Sequence, residues 1–416
     1  MNKRGTVISP QVQRLHQELV SGNKDALKYF WNRIKEQGAP LVEKFESNVQ
    51  ERIVTFLWRA SAEVNSVALV SLMTNPTTYP MTRLLDTDLW YATLQLPADL
   101  RVTYQFFPDD RPASAKGTFE SPWAHYRPDP FNPKTFNFYD DEEDPTGVKL
   151  TRSVLELPEA PSQTWTEPQK EVSKGKVQLH QLHSKILGNQ RRAWVYSPAK
   201  YTAGLGKPYP LVLLFDGWAY AKLMPTFTIL DNLIASRVIP PAVVVLLDSL
   251  DTETRLKEYV FHQPYNNFLV TEVLPWILTK YAISTDPKER VVGGSSAGGL
   301  AAAYAALEHP QEFGNVLSQS GAFTLLPKGD TESVWIAQQF ARREKLPLKF
   351  HLDVGTLEMN SHRDLKDRPS TLAGNRVMRD VLVSKGYKVH YTEFCGGHDY
   401  ISWQGTLAGG LQALLA

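Results

Sequence analysis

The residues Gly294-Ser295-Ser296-Ala297-Gly298 carry the spacing G-x-S-x-G. That spacing serves one kind of chemistry: a serine hydroxyl raised on a sharp turn between a strand and a helix, where it acts as an acyl-transfer nucleophile. The turn is strained, so the positions two residues either side of the serine must lack bulk. The flanks agree, with Arg290-Val291-Val292 reading as a short buried strand and the Ala-rich run after Gly299 as a helix. Ser296 then heads that helix, and the N–H of Ala297 faces the place where an oxyanion develops.

A serine hydroxyl is a poor nucleophile at neutral pH without a base. Of ten histidines, His398 in Gly396-Gly397-His398-Asp399 follows directly on the last expected strand. Its place fits the order Ser, acid, His of α/β-hydrolases. The acid of such a set follows the preceding core strand. There Glu358 is the first choice, with Asp364 and Asp353 as competitors. Its task is to orient the imidazole and stabilise the imidazolium. A second oxyanion donor comes from the loop after the third strand. Here that loop is Phe215-Asp216-Gly217-Trp218, which makes the Trp218 N–H the candidate and leaves Asp216 to tie the loop down. The single cysteine, Cys395, has no base of its own and is expected to be structural. One cysteine excludes an intramolecular disulfide and a cysteine-based metal site.

These groups need a frame. From residue 176 onward short apolar runs alternate with helical patterns. Strands are expected at 177–184, 192–196, 211–215 and 243–247, at the elbow from 290, and at 315–319, 348–354 and 389–394. Helices are expected at 266–281, from 297, at 334–343 and 370–385, with a short last one after 402. Alternation of this kind gives a parallel sheet with ligands at the carboxyl ends of its strands. The fold class is therefore α/β: an α/β-hydrolase domain over 176–416, preceded by a smaller β-sandwich-like domain with a helical lead-in over 1–150 and a linker over 151–175. In the lead-in, Val12, Leu15 and Leu19, then Leu27, Phe30, Trp31 and Ile34, recur at helical steps around a break at Ser21-Gly22-Asn23. Strands at 54–58, 67–71, 89–94 and 102–107 make the sandwich, with Trp58, Trp90 and Tyr104 read as packing rather than a ligand platform. The run Asp140-Asp141-Glu142-Glu143-Asp144 lacks the interleaved glycine of a calcium loop and reads as solvated charge.

The totals exclude other classes. A chain of 416 residues is long for one core, and 42% hydrophobic with 11% aromatic residues is ordinary globular composition. A net charge of +1 provides no field for nucleic acid or a membrane surface, so neither is expected as a partner. No apolar run long enough to span a bilayer or act as a secretory leader is seen, and the expected location is cytoplasmic.

The chain resembles the enterochelin (enterobactin) esterases among the esterase-D-like α/β-hydrolases. The resemblance rests on Val54-Thr55-Phe56-Leu57-Trp58-Arg59, Asp86-Thr87-Asp88-Leu89-Trp90 and Asp129-Pro130-Phe131-Asn132-Pro133 in the N-terminal part. In the hydrolase part it rests on Leu214-Phe215-Asp216-Gly217, on 248–252 with Arg255, on 294–299 and 313–321, and on Gly396-Gly397-His398-Asp399 with Trp403. It implies hydrolysis of the trilactone of a tricatecholate siderophore by Ser296, Glu358 and His398, in the cytoplasm. No cofactor is implied, since iron enters only as part of the substrate. An anionic ferric catecholate calls for cations, and Arg255, Arg363 and Lys222 are nominated. Two positions depart from the family's pattern: Ala297, where several members carry a bulky residue, and Glu258-Tyr259, where many read Glu-Leu. Two other functions stay open: an esterase of the esterase-D or feruloyl type acting on another phenolic ester, and a siderophore-binding protein without turnover. The oligomeric state is left open.

Overall fold

The structure, a computed structural model, describes residues 9–60, 64–71, 77–109, 125–138, 150–203, 208–359 and 368–416. It divides into two compact units, Met1–Pro161 and Ser162–Ala416.

The first unit opens with α1 (Pro10–Val20) and α2 (Ala26–Gln37). Ser9 caps α1 by accepting from the Val12 N–H, with Pro10 at the first helical position. The apolar stripes of both helices, Val12 and Leu15 with Phe30, Trp31 and Ile34, bury against Leu41, Leu57, Leu84 and Leu89. Those partners belong to or adjoin the strands that follow: β1 (Leu41–Lys44), β2 (Glu51–Arg59), β3 (Val67–Ser71), β4 (Thr77–Pro80), β5 (Thr82–Arg83), β6 (Leu89–Pro97), β7 (Arg101–Pro108), β8 (Thr135–Phe138) and β9 (Leu150–Glu156). They form two antiparallel sheets of order β1-β2-β6-β5 and β4-β3-β7-β9-β8. Ring pairs join the two sheets, Phe56 with Tyr104 at 4.8 Å and Trp58 with Phe106 at 5.4 Å. Trp58 and Tyr104 are thus packing groups, as is the buried Trp90.

The expected linker 151–175 needs correction at its start. Residues 150–156 are β9, paired on both sides, with Val154 and Leu155 buried. Flanking Pro and acidic residues hid a strand that alternates too briefly to stand out. The segment 129–132 is likewise packed into the unit. Asp129 accepts from the Tyr104 hydroxyl at 2.7 Å and from the Phe131 N–H at 2.9 Å, and its own N–H donates to Ser153 Oγ at 2.8 Å. The acidic run 140–144 lies outside the described residues.

The second unit is an eight-stranded sheet: β10 (Lys176–Ser184), β11 (Asn189–Ser197), β12 (Leu211–Phe215), β13 (Val243–Leu247), β14 (Arg290–Ser295), β15 (Asn315–Gln319), β16 (Lys349–Gly355) and β17 (Lys388–Phe394). Its order is β10-β11-β13-β12-β14-β15-β16-β17. β10 and β11 run antiparallel to their neighbours and the remaining pairs are parallel. All eight expected strands are present, because β12 and β13 are buried at every residue and so read as continuous apolar runs.

The helices are α3 (Thr226–Ala235), α4 (Thr252–Tyr259), α5 (Gln263–Phe268), α6 (Leu274–Lys280), α7 (Ala297–Glu308), α8 (Trp335–Arg342), α9 (Thr371–Ser384) and α10 (Tyr400–Leu415). A π-helical turn at Leu269–Val273 joins α5 to α6, so the expected helix at 266–281 is interrupted. The sequence pattern did not indicate α3 or α4. The last helix is 16 residues long, not short. Gly405, Gly409 and Gly410 suggest a break, yet Gly410 is what lets the helix lie on the sheet. A Cβ there would come within 2.2 Å of Leu317 Cδ1.

Burial raises the Asp129 carboxyl from 3.8 to about 6, against the lowering effect of its hydrogen bonds from Tyr104 and Phe131. A folded pKa above the unfolded one means the fold holds this proton more tightly. Its contribution is complete below about pH 4 and is lost as pH rises through about 6. The stability lost on Asp129→Asn should therefore be larger at pH 5 than at pH 7.5 in urea unfolding of the full chain. A loss independent of pH would contradict this environment.

Candidate active site

Ser296 follows β14 and heads α7 with φ 57° and ψ −122°. A non-glycine residue there is strained by about 1–3 kcal/mol. Its surroundings hold it. The Ser296 N–H donates to the Gln319 carbonyl at 2.9 Å, and the Ser296 carbonyl accepts from the Ala322 N–H at 2.9 Å. Gly294 and Gly298 sit back to back; a Cβ on Gly294 would lie 2.8 Å from the Gly298 carbonyl carbon. Residues 290–295 and 297–303 are buried, and Ser296 alone in that run keeps partial exposure. Ala297 is the first residue of α7, where an N–H has no acceptor within the helix.

The loop after β12 is strained as well. Asp216 has φ 56° and is buried. Its carboxylate takes a two-pronged ion pair from Arg255, Nε to Oδ1 at 2.6 Å and Nη2 to Oδ2 at 2.7 Å. Arg255 Nη2 also reaches the Ser295 carbonyl at 3.3 Å. The arginine thereby ties the β12 loop to the residue before the nucleophile. Burial acts against its charge, and the Asp216 carboxylate more than offsets this, so its pKa is raised. Arg255, nominated as a substrate cation, pairs with this loop and keeps partial exposure. Gly217 packs against β13, where a Cβ would come within 2.5 Å of the Leu246 carbonyl oxygen. Gly217 and Trp218 open the short helical turn that follows, and in a first turn an N–H lacks an intrahelical acceptor. Lys222 is exposed on the π-helical turn Ala219–Leu223.

Glu358 follows β16 and is buried. Its Oε2 meets His398 Nδ1 at 2.7 Å. Oε1 accepts from the Gly355 N–H at 2.9 Å and from the Ser320 hydroxyl at 2.6 Å. His398 lies in the loop between β17 and α10, with a side-chain exposure of 29% that leaves its far edge open. Contacts link this pair back to the serine. Ser320 lies two residues before Ala322, which bonds the Ser296 carbonyl, and Trp403 Nε1 donates to Ser320 Oγ at 2.9 Å. The Trp403 ring stands edge-on to His398 at 4.9 Å.

Asp353, a competitor for the acid, has His351 rather than His398 as its imidazole neighbour. It is fully buried in β16 with His351 Nε2 at 3.5 Å, and burial raises its carboxyl above the usual range. Asp364 and Arg363 lie outside the described residues. Cys395 is half-buried. No group of three or more His, Cys, Asp or Glu side chains suited to a metal ion occurs among the described residues. The residues that pattern alone does not single out are Ser320 and Trp403. Both sit in motifs that carry the resemblance, but neither has a spacing that announces a role.

Residues 184–414 match the esterase family, and residues 53–166 match the N-terminal part of enterochelin esterases. The chain is 30% identical over 382 residues to the iron(III) enterobactin esterase of Escherichia coli O6:H1, covering 86% of this chain and 90% of that one. It is 29% identical to the iron(III) enterobactin esterase of Dickeya dadantii, covering 95% of each chain. Among solved structures, the enterobactin esterase of Shigella flexneri determined in the presence of enterobactin superposes with a TM-score of 0.73 at 27% identity, covering 91% of this chain and 96% of that one.

The pairing of Glu358 with His398 makes Glu358 the carboxylate to test first. Glu358→Gln should lower kcat for a soluble ester by about 10³–10⁴-fold, as loss of a triad acid does. Asp364→Asn should stay near wild type. The reverse pattern would show that the acid is Asp364.

Proposed function

The chain belongs to the enterobactin esterase family, and from that premise we propose that it cuts the ester bonds of a tricatecholate siderophore trilactone, with Ser296 as nucleophile. The observation that carries this is the Glu358–His398 contact of 2.7 Å, linked through Trp403 and Ser320 to the strained Ser296 turn. With Nδ1 turned to Glu358, His398 presents Nε2 as the basic atom.

In the proposed reaction His398 Nε2 takes the Ser296 hydroxyl proton as Oγ attacks a seryl ester carbonyl. The imidazolium forms against the Glu358 carboxylate, and the oxyanion sits between the N–H groups of Ala297 and Trp218. Collapse breaks the C–O bond, and the leaving seryl hydroxyl takes the proton from His398. Water then gives up a proton to His398 as it attacks the acyl-enzyme carbonyl, and collapse breaks the bond to Ser296 Oγ, which takes the proton back from His398 as a linear acid leaves. The base contributes about 10²–10⁴-fold and each oxyanion donor about 10²–10³-fold. No cofactor enters these steps, and iron belongs to the substrate.

Opening the lactone removes the covalent frame that preorganises the three catechols, which lowers affinity for the metal. That outcome is useful where iron is consumed, so we place the enzyme in the cytoplasm. No helix among the described residues is long and apolar enough to cross a membrane. In this scheme Arg255 holds the Trp218 loop, and Lys222 is the exposed cation for the anionic substrate.

Incubation with a cyclic tricatecholate trilactone, iron-free and ferric, followed by chromatography should give linear seryl catecholates. Ser296→Ala should reduce kcat by about 10⁵–10⁶-fold. Intact trilactone in both forms would contradict the assignment and favour another phenolic ester.

A further inference from the structure

We infer that Ser320 and Trp403 are positioning residues for the acid: a one-way hydrogen-bond relay from the Trp403 indole through the Ser320 hydroxyl fixes the Glu358 carboxylate for His398. The inference rests on the acyl-transfer chemistry proposed above and adds two residues to it.

The direction of the relay follows from donor chemistry. An indole N–H only donates. Trp403 Nε1 lies 2.9 Å from Ser320 Oγ, so the hydroxyl oxygen accepts there. Its proton is then directed along the other contact, to Glu358 Oε1 at 2.6 Å. Ser320, Trp403 and Glu358 are all buried, at 0%, 3% and 5% exposure, so water does not compete for these groups. With Oε1 held by Ser320 and by the Gly355 N–H, the carboxylate cannot rotate without losing two donors, and Oε2 stays on His398 Nδ1.

Ser320 is clamped for this task. It has φ 49°, a conformation that favours glycine, and its N–H donates to the Asp353 carbonyl at 2.7 Å. On its other side the Gly321 carbonyl accepts from Asn375 Nδ2 at 2.8 Å. Strained backbone held by its surroundings is characteristic of functional positions. Trp403 adds a second constraint, because the same indole packs against the His398 ring at 4.9 Å with an 83° angle between the planes. One side chain thus touches the base and, through Ser320, the acid.

The test is a double-mutant cycle read on a soluble ester, with the far-downfield imidazole N–H proton resonance as a second signal. Ser320→Ala should lower kcat about 10- to 100-fold, the scale of one hydrogen bond to a charged group, with KM within about twofold. It should also shift or broaden the imidazole N–H resonance. Trp403→Phe keeps a ring against His398 but removes the donor, and should lower kcat about 3- to 10-fold. Because the indole N–H acts through Ser320, adding Trp403→Phe to Ser320→Ala should cost nothing further. Multiplicative losses in the double variant, or an unshifted resonance in Ser320→Ala, would overturn the relay. Wild-type kcat in the milder Trp403→Phe would overturn it as well. Wild type and Ser296→Ala run alongside separate the two levels. If wild type turns over, Ser296→Ala is inactive and Ser320→Ala is unaffected, the relay alone fails. If Ser296→Ala retains full activity, the acyl-transfer assignment itself fails.

Discussion

A serine held at φ 57° and ψ −122° does not persist unless its neighbours impose it. That constraint organises the second unit. A side chain on Gly294 would push β14 and α7 apart, and one on Gly298 would crowd Asp216 Oδ2 at 3.1 Å. Gly299 lets α7 settle on β15, where a Cβ would meet Ser318 Oγ at 2.4 Å. The Ser296 peptide is anchored at both ends, by the Gln319 carbonyl and the Ala322 N–H, so β15 shapes the turn as much as β14 does. The strain presents one partly exposed hydroxyl in a run of buried residues.

The other parts of the site connect to the same turn. Arg255 joins Asp216 to the Ser295 carbonyl and so locks the β12 loop beside the serine. Behind it, Glu258 at the end of the same helix takes a buried two-pronged ion pair from Arg191 on β11, at 2.8 and 2.9 Å. Breaking such a pair by removing one partner is costly because the other charge stays buried. α4 is therefore held by two arginine–carboxylate pairs, one from Arg255 at its middle to Asp216 and one from Arg191 to Glu258 near its end. On the far side, β15 and α10 share Gln319, which accepts from the Tyr220 hydroxyl and donates to the Trp403 carbonyl and Thr406. The helix that carries Trp403 is thus fastened to the strand that Ser320 follows.

Much of this was legible from sequence for definite reasons. β12 and β13 stood out because strands covered on both faces need unbroken apolar runs. The elbow stood out because its geometry demands glycine at fixed offsets. Glu358 and His398 were found by chain order, and the structure pairs them at 2.7 Å. What did not show was interaction between distant residues of unremarkable type. Arg255 has the charge of a substrate anchor, and only the folded chain reveals that Asp216 uses it. Ser320 and Trp403 lie 83 residues apart with no periodic signal joining them. The length of α10 was misread although Gly410 serves close packing against Leu317 rather than a turn. β9 was misread because Pro-rich and acidic flanks resemble a linker.

The central claim is that the strained residue is the reactive one. A fluorophosphonate probe followed by peptide mapping of the full-length protein tests it directly, since Ser295 beside it is buried and Ser296 is not. The account predicts one adduct per chain, on Ser296, and none on the Ser296→Ala variant. An adduct on Ser295 or on any other side chain, or undiminished labelling of Ser296→Ala, would contradict it.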